Sequence, residues 1–316
     1  MLKIYKNGQD KMLVEEAVIR PNSLVMMIAP TAEQINQVTR DYDIPEKFFL
    51  DALDQDERPR LERDENSYLI VLNIPVKNPN SQMKNEAPYL TLPLGIIHTE
   101  NNIFLVSKEP HPILQDLIDG EYGQFQTHMK TKITLLLFKA VAKHYDDHLG
   151  FINDEAAKLQ QELNESYHNK ELFSLINLNK SLVFFSTSLS ALVILYRQIM
   201  QGKTLKIQDE DRRLLNDILA DIEQSADVAE MRRESLSNLM DAYAVIVHNN
   251  LNTVLKTLTA IAIVMIIPTM IGSIFSMNVD LPEEHNPIST VIIGSGMMGI
   301  SIILLLVFYF KKYIKF

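Results

Sequence analysis

Two uncharged runs near the end of the chain constrain its fold more than any other feature. They cover residues 257–279 and 288–310, are 23 residues long each, and are dominated by Ile, Leu, Val, Met and Phe. An α-helix rises about 1.5 Å per residue, so about 20 apolar residues cross the hydrocarbon core of a bilayer. The two runs therefore predict two transmembrane helices and exclude a soluble protein.

The charges that flank these runs predict their orientation. Lys256 precedes the first run, and Lys311, Lys312 and Lys315 follow the second, whereas the loop 279–287 is acidic and has no Lys or Arg. Lys-bearing flanks of membrane spans stay in the cytoplasm. We therefore expect a protein of the cytoplasmic membrane with both termini in the cytoplasm and a short external loop.

Composition narrows the class of protein further. The net charge is −10, from 40 acidic and 30 basic side chains, so the polar part would repel nucleic-acid phosphates. There is no cysteine, which excludes disulfides and thiolate metal sites. No P-loop, nucleophile elbow or His-Glu-x-x-His motif is present, and the first residues have no apolar stretch. We expect neither an enzyme, nor a nucleic-acid binder, nor a cleaved signal peptide.

The first part of the chain, residues 1–125, has the pattern of a mixed α/β domain in the cytoplasm. Short runs rich in Val, Ile and Leu, bounded by Pro, Asn or Gly, predict strands. Helices are predicted where apolar residues recur at helical spacing, and Thr31 with Gln34 forms a capping-box pattern. The predicted strands are 23–29, 67–75, 90–98 and 102–107, and the predicted helices are 31–42 and 45–54.

The remaining polar part is predicted to be helical. Apolar residues recur every three or four positions through 126–206, which indicates a helical hairpin. From residue 207 onward, no Pro occurs before Pro268 and no Gly before Gly272. One helix of about 70 residues would be roughly 105 Å long and would enter the membrane without a break. The predicted segments are the stalk 207–256, the first span 257–278, the loop 279–287, the second span 288–310 and the basic tail 311–316.

A stripe at alternating steps of four and three residues follows this helix, and most of its members are small or polar. A lipid-facing stripe would carry Leu or Ile, so two interpretations remain: small residues for helix packing, or hydroxyls and amides that line a water-filled pore. Two spans cannot enclose a pore, so a pore needs several copies with cyclic symmetry. The part of the stripe called the seam below comprises Asp241, Val245, His248, Asn252, Leu255, Thr259, Ala262, Ile266, Thr269 and Ser273. The same steps continue back along the helix through Asn238, Glu234, Met231, Asp227, Gln224, Ala220 and Asp217.

Two segments match the pattern of a known family. The first span ends in Phe275-Ser276-Met277-Asn278, an acidic loop follows, and the chain closes with a second span and a lysine tail. The second segment runs from Leu50-Asp51-Ala52-Leu53 through Arg58-Pro59-Arg60-Leu61-Glu62 to Tyr68-Leu69-Ile70-Val71-Leu72. The chain resembles the CorA family of divalent-cation channels. The signature of that family at the end of the first span is Gly-Met-Asn.

The resemblance implies an α+β cytoplasmic domain followed by long stalk helices and two transmembrane helices, assembled as a funnel-shaped homopentamer. Five first spans would line the pore. The substrate would be Mg²⁺, with Co²⁺ and Ni²⁺ also carried, and intracellular divalent ions would close the channel; no organic cofactor is implied. The alternatives are a Zn²⁺ transporter of the related ZntB-like branch and a membrane-anchored ion sensor that does not conduct.

The resemblance also implies a set of pore residues. A ring of Asn278 amides could hydrogen-bond to the water shell of Mg²⁺, which dehydrates reluctantly, without holding the ion too tightly for flux. Ile266 would form an apolar constriction, and the role of His248 stays open. Ser276 stands where the family has Gly, and Ser follows a less extreme backbone path. The pore residues are Asn278, Met277, Ser276, Thr269, Ile266, Leu258, Asn252 and Asp241.

Two further groups of carboxylates are candidates for binding or attracting divalent cations. Asp51 and Asp217 match the regulatory acids of the family, and across a subunit interface they would repel each other unless a cation lay between them. The alternative is that both are ordinary surface acids. Acids of the external loop would concentrate cations outside the pore: Asp280, Glu283 and Glu284.

One pair of histidines, outside these groups, is a candidate metal-binding site. His144 and His148 stand four residues apart on a predicted helix, which is the spacing of a zinc-binding face. A polar helix surface is the alternative interpretation.

Overall fold

The fold is that of a computed structural model, which describes residues 1–8, 13–81, 86–165, 169–202, 205, 207–277 and 287–313. The chain divides into two compact units, Met1–Asn238 and Leu239–Phe316. The boundary falls inside one long helix. The predicted fold class, an α+β domain followed by long helices and apolar C-terminal helices, is confirmed.

A seven-stranded sheet forms the centre of the first unit. Its strands are β1 (Leu2–Asn7), β2 (Leu13–Glu16), β3 (Leu24–Ile28), β4 (Arg60–Arg63), β5 (Tyr68–Lys77), β6 (Tyr89–His98) and β7 (Ile103–Ser107). Their order is β2-β1-β3-β7-β6-β5-β4, with β3 and β7 parallel and all other neighbours antiparallel. All residues of β3 and β7 are buried, which explains their continuous apolar sequence. The four predicted strands are these central ones.

The described residues also form seven helices. They are α1 (Ala32–Tyr42), α2 (Glu46–Leu53), α3 (Pro112–Ile118), α4 (Lys130–Glu165), α5 (Asn169–Met200), α6 (Asp209–Phe275) and α7 (Pro287–Phe310). The capping box of α1 is confirmed: the Gln34 N–H donates to Thr31 Oγ1 at 3.3 Å, and the Thr31 N–H donates to Gln34 Oε1 at 3.0 Å. The single long helix is also confirmed, because α6 has 67 residues.

The sheet is covered on both faces. Helices α1 and α2 pack one face into an apolar core in which Phe48, Phe49 and Ala52 of α2 contact the strands. Side chains of neighbouring strand residues point to opposite faces. Ile97 belongs to that core, whereas the next residue, His98, hydrogen-bonds with Thr134 of α4 at 2.8 Å. Helix α2 is therefore anchored through its buried face, and its other residues remain free to serve a surface site.

Within the second unit, α6 and α7 pack through one stripe on each helix. From residue 257 on, the less exposed positions of α6 are Thr257, Ala260, Val264, Ile267, Pro268 and Ile271. From residue 291 on, those of α7 are Ile293, Met297, Gly299, Ser301, Leu304 and Phe308. The Thr257 hydroxyl donates to the Tyr313 carbonyl at 3.1 Å. This bond joins the N-terminal end of the first span to the C-terminal end of α7, so the two helices run antiparallel.

Three helices of the described residues are long and apolar enough to cross a membrane: Lys170–Met200, Asp211–Phe275 and Val291–Phe310. They differ in how much of the apolar stretch the chain itself buries, with 44% for the first, 11% for the second and 0% for the third. Helix α5 contacts the sheet, where Ser181 Oγ accepts the Tyr89 N–H at 3.0 Å. Its apolar face belongs to the core of the first unit, whereas α6 and α7 leave theirs for lipid or other subunits.

Close packing of α2 on the sheet gives a first prediction. A Cβ added to Gly95 of β6 would overlap the Ala52 Cβ of α2. Gly95→Ala should therefore lower stability by about 1–3 kcal/mol, the usual cost of overpacking. The second change Ala52→Gly should recover part of that loss. The measurement is the apparent unfolding temperature of the full chain in detergent.

Gly150→Ala is the matched control for this experiment. An added Cβ at Gly150 meets no atom within 4 Å, and alanine favours the α4 helix that contains it. The control should be neutral or stabilising. Equal effects of the two Gly→Ala changes would contradict the packing assignment.

Candidate functional site

The seam of the second unit lies on the side of α6 opposite α7. Each of Thr259, Ala262 and Ile266 is two residues beyond a position that packs on α7, and two residues are about 200° of helical rotation. The seam side chains from Leu255 to Ser273 are exposed, with 60% exposure at Ile266. Leu258, at the edge of the seam, is 62% exposed. The predicted pore residues of this span therefore share one face that the chain leaves uncovered.

The hydroxyl groups of this face use their hydrogens within the helix and leave their oxygens free to accept hydrogen bonds. Thr259 Oγ1 donates to the Leu255 carbonyl and Thr269 Oγ1 donates to the Met265 carbonyl, each at 2.8 Å. A hydroxyl has one hydrogen and two lone pairs, so each oxygen can still accept from water. Such oxygens suit the outward-pointing hydrogens of a hydrated cation.

An amide and an imidazole lie next to each other on the part of the seam that precedes the first span. Asn252 Nδ2 lies 3.1 Å from His248 Nδ1. An amide nitrogen can only donate, so the imidazole Nδ1 accepts and the Asn252 Oδ1 remains available. Asp241 is exposed two helical turns before His248. The seam therefore presents oxygen acceptors at both ends, with apolar Leu255, Leu258 and Ile266 between them.

The first span ends at Phe275, and Ser276 stabilises that end. Its hydroxyl donates to the Ser273 carbonyl at 2.8 Å, and its N–H donates to the Gly272 carbonyl at 3.1 Å. Its φ is not positive, so this position does not require glycine. Met277 follows in a bend and is 60% exposed. The remaining predicted residues of this end, Asn278, Asp280, Glu283 and Glu284, lie outside the described residues.

Asp51 of the first unit belongs to a group of charged side chains, the Arg60 cluster: Lys47, Asp51, Glu57, Arg60 and Glu62. Arg60 donates to Asp51 Oδ2 at 2.6 Å and to Glu62 Oε2 at 2.9 Å, and it also pairs with Glu57. Lys47 Nζ lies 2.6 Å from Glu62 Oε1 and 3.9 Å from Asp51 Oδ2. Hydrogen bonds from Lys47 and Arg60 lower the pKa of the Glu62 carboxyl. Asp51 is only 17% exposed, and its charge already has partners.

Helix and strand periodicity build this cluster. Lys47 and Asp51 are four residues apart on α2 and share a helix face, whereas Arg60 and Glu62 alternate onto one face of β4. Asp217, the second predicted regulatory acid, is exposed on α6. In the part of the chain that the structure describes, no hydrogen bond or ion pair joins Asp51 to Asp217.

The first unit also contains three histidines that line one cavity. The cavity has a volume of 680 Å³. The ring centre of His144 lies 5.8 Å from that of His111 and 6.2 Å from that of His148. The Tyr122 hydroxyl donates to Asp116 Oδ2 and lies 3.1 Å from His144 Nε2. Among the residues that the structure describes, no group of three metal-binding side chains could hold an ion. His111 is absent from the sequence prediction because it caps α3, a helix that the sequence analysis did not predict.

Burial keeps these histidines neutral. It lowers the pKa of His111 to about 4, and it lowers the pKa of His144 and of His148 from the ordinary value. The neighbouring rings add to this effect, since a second imidazolium would be repelled. The cluster is therefore a set of half-buried histidines that resist protonation.

An α/β domain continued by a long helix into two antiparallel apolar spans, one with a polar seam, defines a membrane transport protein. The chain belongs to the CorA family: the profile described as CorA-like Mg²⁺ transporter protein matches residues 24–312. This family consists of membrane transporters rather than enzymes, and its members lie in the cell membrane.

Two relatives and two solved structures illustrate this membership. The cobalt/magnesium transport protein CorA of Methanocaldococcus jannaschii is 27% identical over 300 residues, covering 90% of this chain and 88% of that protein. The CorA of Thermotoga maritima is 25% identical over 282 residues, covering 88% and 78%. The complete CorA magnesium transporter structure from M. jannaschii has a TM-score of 0.83 at 22% identity and covers 99% of both chains. The ZntB cytoplasmic domain from Vibrio parahaemolyticus has a TM-score of 0.61 at 13% identity, covering 78% of this chain and 97% of that one.

The buried histidines predict that acid destabilises the first unit. Unfolded histidine has a pKa of about 6.5, so below pH 7 the unfolded chain binds more protons than the folded one and stability falls. For His111 alone the loss between pH 7 and pH 5 should be about 2 kcal/mol. His111→Asn keeps a capping acceptor for α3 and should flatten the pH dependence of the unfolding temperature.

The control for this prediction is His128→Gln, because the His128 side chain is exposed. It should leave the pH dependence as it is in the parent protein. An unchanged slope in His111→Asn, with intact folding at pH 7.5, would show that other groups cause the acid sensitivity.

Proposed function

We propose that this chain forms a homopentameric channel that admits divalent cations, Mg²⁺ foremost and Co²⁺ as well, across the cell membrane, with both termini in the cytoplasm. The observation that carries the proposal is the uncovered face of α6 opposite α7. It holds hydroxyl acceptors within an otherwise apolar span and an amide acceptor just before that span. The choice of ions comes from the M. jannaschii relative, which is named a cobalt/magnesium transport protein.

An assembly with cyclic symmetry follows from the placement of the two stripes. One chain has only two spans, so it encloses no conduit. If copies surround an axis with the seam inward, α7 lies on the outside and meets lipid with the exposed side chains of Ile292, Ile303 and Leu306. This arrangement satisfies the polar seam and the apolar outer surface together.

Within such a pore, each ring of side chains has a distinct role. The Asn278 amides at the external end would bind the water shell of the ion, and the oxygens of Thr269 and Asn252 would receive it further along. Ile266 and Leu258 would form apolar rings, and ions would pass only when the rings are wide enough to remain hydrated. Asp241 would draw the cation into the cytoplasm. At two charges per ion, about 100 mV inside-negative supplies roughly 4.6 kcal/mol for entry.

Flux into proteoliposomes tests this proposal. Purified protein is reconstituted, an inside-negative potential is imposed by potassium diffusion, and Mg²⁺ entry is followed with an enclosed dye at equal pH on both sides. Potential-driven uptake without a proton gradient is the expected result. Uptake of Zn²⁺ that requires a proton gradient would favour the ZntB-like alternative, and no uptake of any divalent ion would favour a sensor.

Replacement of Asn278 by Ala should abolish Mg²⁺ uptake while leaving the oligomer intact, because the proposed contacts of this amide are with water rather than with protein. Asn250→Ala is the matched control, since Asn250 is exposed on α6 about 200° from His248 of the seam. Ser276→Gly should be tolerated, because the bond it removes only stabilises the helix end. Normal flux in Asn278→Ala would overturn the selectivity role.

Neutralising Asp51 and Asp217 together, as Asp51→Asn with Asp217→Asn, should weaken inhibition by internal Mg²⁺. If an ion bridges the two acids between subunits, it stabilises the closed state alone, and five weak sites can give a steep response at about 1 kcal/mol each. The measurement is Mg²⁺ uptake against internal Mg²⁺, with Asp221→Asn, one turn along α6, as the control. Unchanged inhibition in the double variant would make both residues ordinary surface acids.

A further inference from the structure

The two proposed regulatory acids differ in their surroundings within one chain. Asp217 is exposed on α6, whereas Asp51 is largely buried in the Arg60 cluster. Both cations of that cluster face the same carboxylate oxygen, because Arg60 Nη2 lies 2.6 Å and Lys47 Nζ lies 3.9 Å from Asp51 Oδ2. The carboxylate that should attract a divalent ion is therefore already paired with a guanidinium.

The charges of the cluster are nearly balanced. Its members carry three negative charges (Asp51, Glu57 and Glu62) and two positive ones (Lys47 and Arg60). A guanidinium matches a carboxylate with a fixed fork of donors and stays charged at every physiological pH. It is therefore a permanent competitor for Asp51, unlike a bound ion, whose occupancy depends on concentration.

We infer that Arg60 is a built-in counter-ion of Asp51, which raises the concentration of intracellular divalent ion needed to close the channel. The inference deepens the regulation within the proposed function and rests on it. An Mg²⁺ ion at Asp51 Oδ2 must displace the guanidinium from this oxygen, and Glu57 and Glu62 already accept hydrogen bonds from the same guanidinium. These two glutamates therefore provide the place to which Arg60 withdraws.

The direction of each substitution follows from this geometry. Arg60→Gln removes the competing charge, so the midpoint of the Mg²⁺ response should fall about tenfold, the effect of one positive charge about 5 Å from a divalent ion in water. Arg60→Lys keeps the charge and should stay near the parent value. Glu62→Gln removes one carboxylate that pairs with Arg60 and Lys47, so both cations interact more strongly with Asp51. The midpoint of the Mg²⁺ response should therefore rise. Opposite shifts from two neutralising changes cannot come from a general loss of stability.

The experiment is protection of the full chain from chymotrypsin in detergent, with Mg²⁺ alone as the probe. Chymotrypsin is chosen because substitution of Arg60 would remove a trypsin site. Arg63→Gln is the matched control: it changes the same charge on the same strand, and Arg63 is exposed. Its midpoint should equal that of the parent protein.

The outcomes separate this inference from the proposed function. A lower midpoint in Arg60→Gln together with a higher one in Glu62→Gln supports the counter-ion role. Equal midpoints in Arg60→Gln and Arg63→Gln overturn it, even if Mg²⁺ uptake and Mg²⁺ protection of the parent are normal. If the parent transports Mg²⁺ but shows no Mg²⁺ protection, both the sensor and the counter-ion role are overturned while the channel assignment stands. If the parent neither transports nor is protected, the proposed function itself fails.

Discussion

Polar side chains on a helix that must lie in hydrocarbon need a polar surrounding, and this constraint determines how the second unit can be used. The apolar stretch of α6 meets the length of a bilayer, yet one face carries the hydroxyls of Thr259, Thr269 and Ser273. Helix α7 covers the opposite face, so it cannot provide that surrounding. Water enclosed by further copies of α6 can, and the proposed pore is the arrangement in which no seam residue faces lipid.

In the first unit, the electrostatic constraint is repulsion between carboxylates. This unit is acidic, and the regulatory role proposed for Asp51 would place carboxylates of two subunits together. Within the chain, the Arg60 cluster compensates most of that charge before any ion binds. The response to divalent ions then depends on a competition between a fixed guanidinium and a diffusing cation. Attachment of Asp51 to α2, whose other face is locked by Phe48, Phe49 and Ala52, keeps the geometry of this competition constant.

Sequence patterns predicted the elements whose residues are uniformly buried or uniformly periodic. Strands β3 and β7 are continuous apolar runs, and α6 has no early Pro or Gly, so both kinds of element could be predicted. Strands β1, β2 and β4 are short and mix charged with apolar residues, which leaves no clear period, and α3 has only seven residues. The seam was recognisable from its spacing. The pairing of Asp51 with Arg60 and the meeting of His111 with His144 were not, because both depend on tertiary packing between separate elements.

The most direct test of the account uses the absence of cysteine from the chain, which allows single cysteines to be introduced one at a time. Cysteines at the seam positions 259, 262, 266 and 269 and at the α7-facing positions 260, 264 and 271 are treated with a small charged thiol reagent in proteoliposomes during Mg²⁺ uptake. The account predicts that the seam cysteines react and that their modification blocks flux, while the α7-facing cysteines remain unmodified. Reaction and block at the α7-facing positions, with an inert seam, would contradict it.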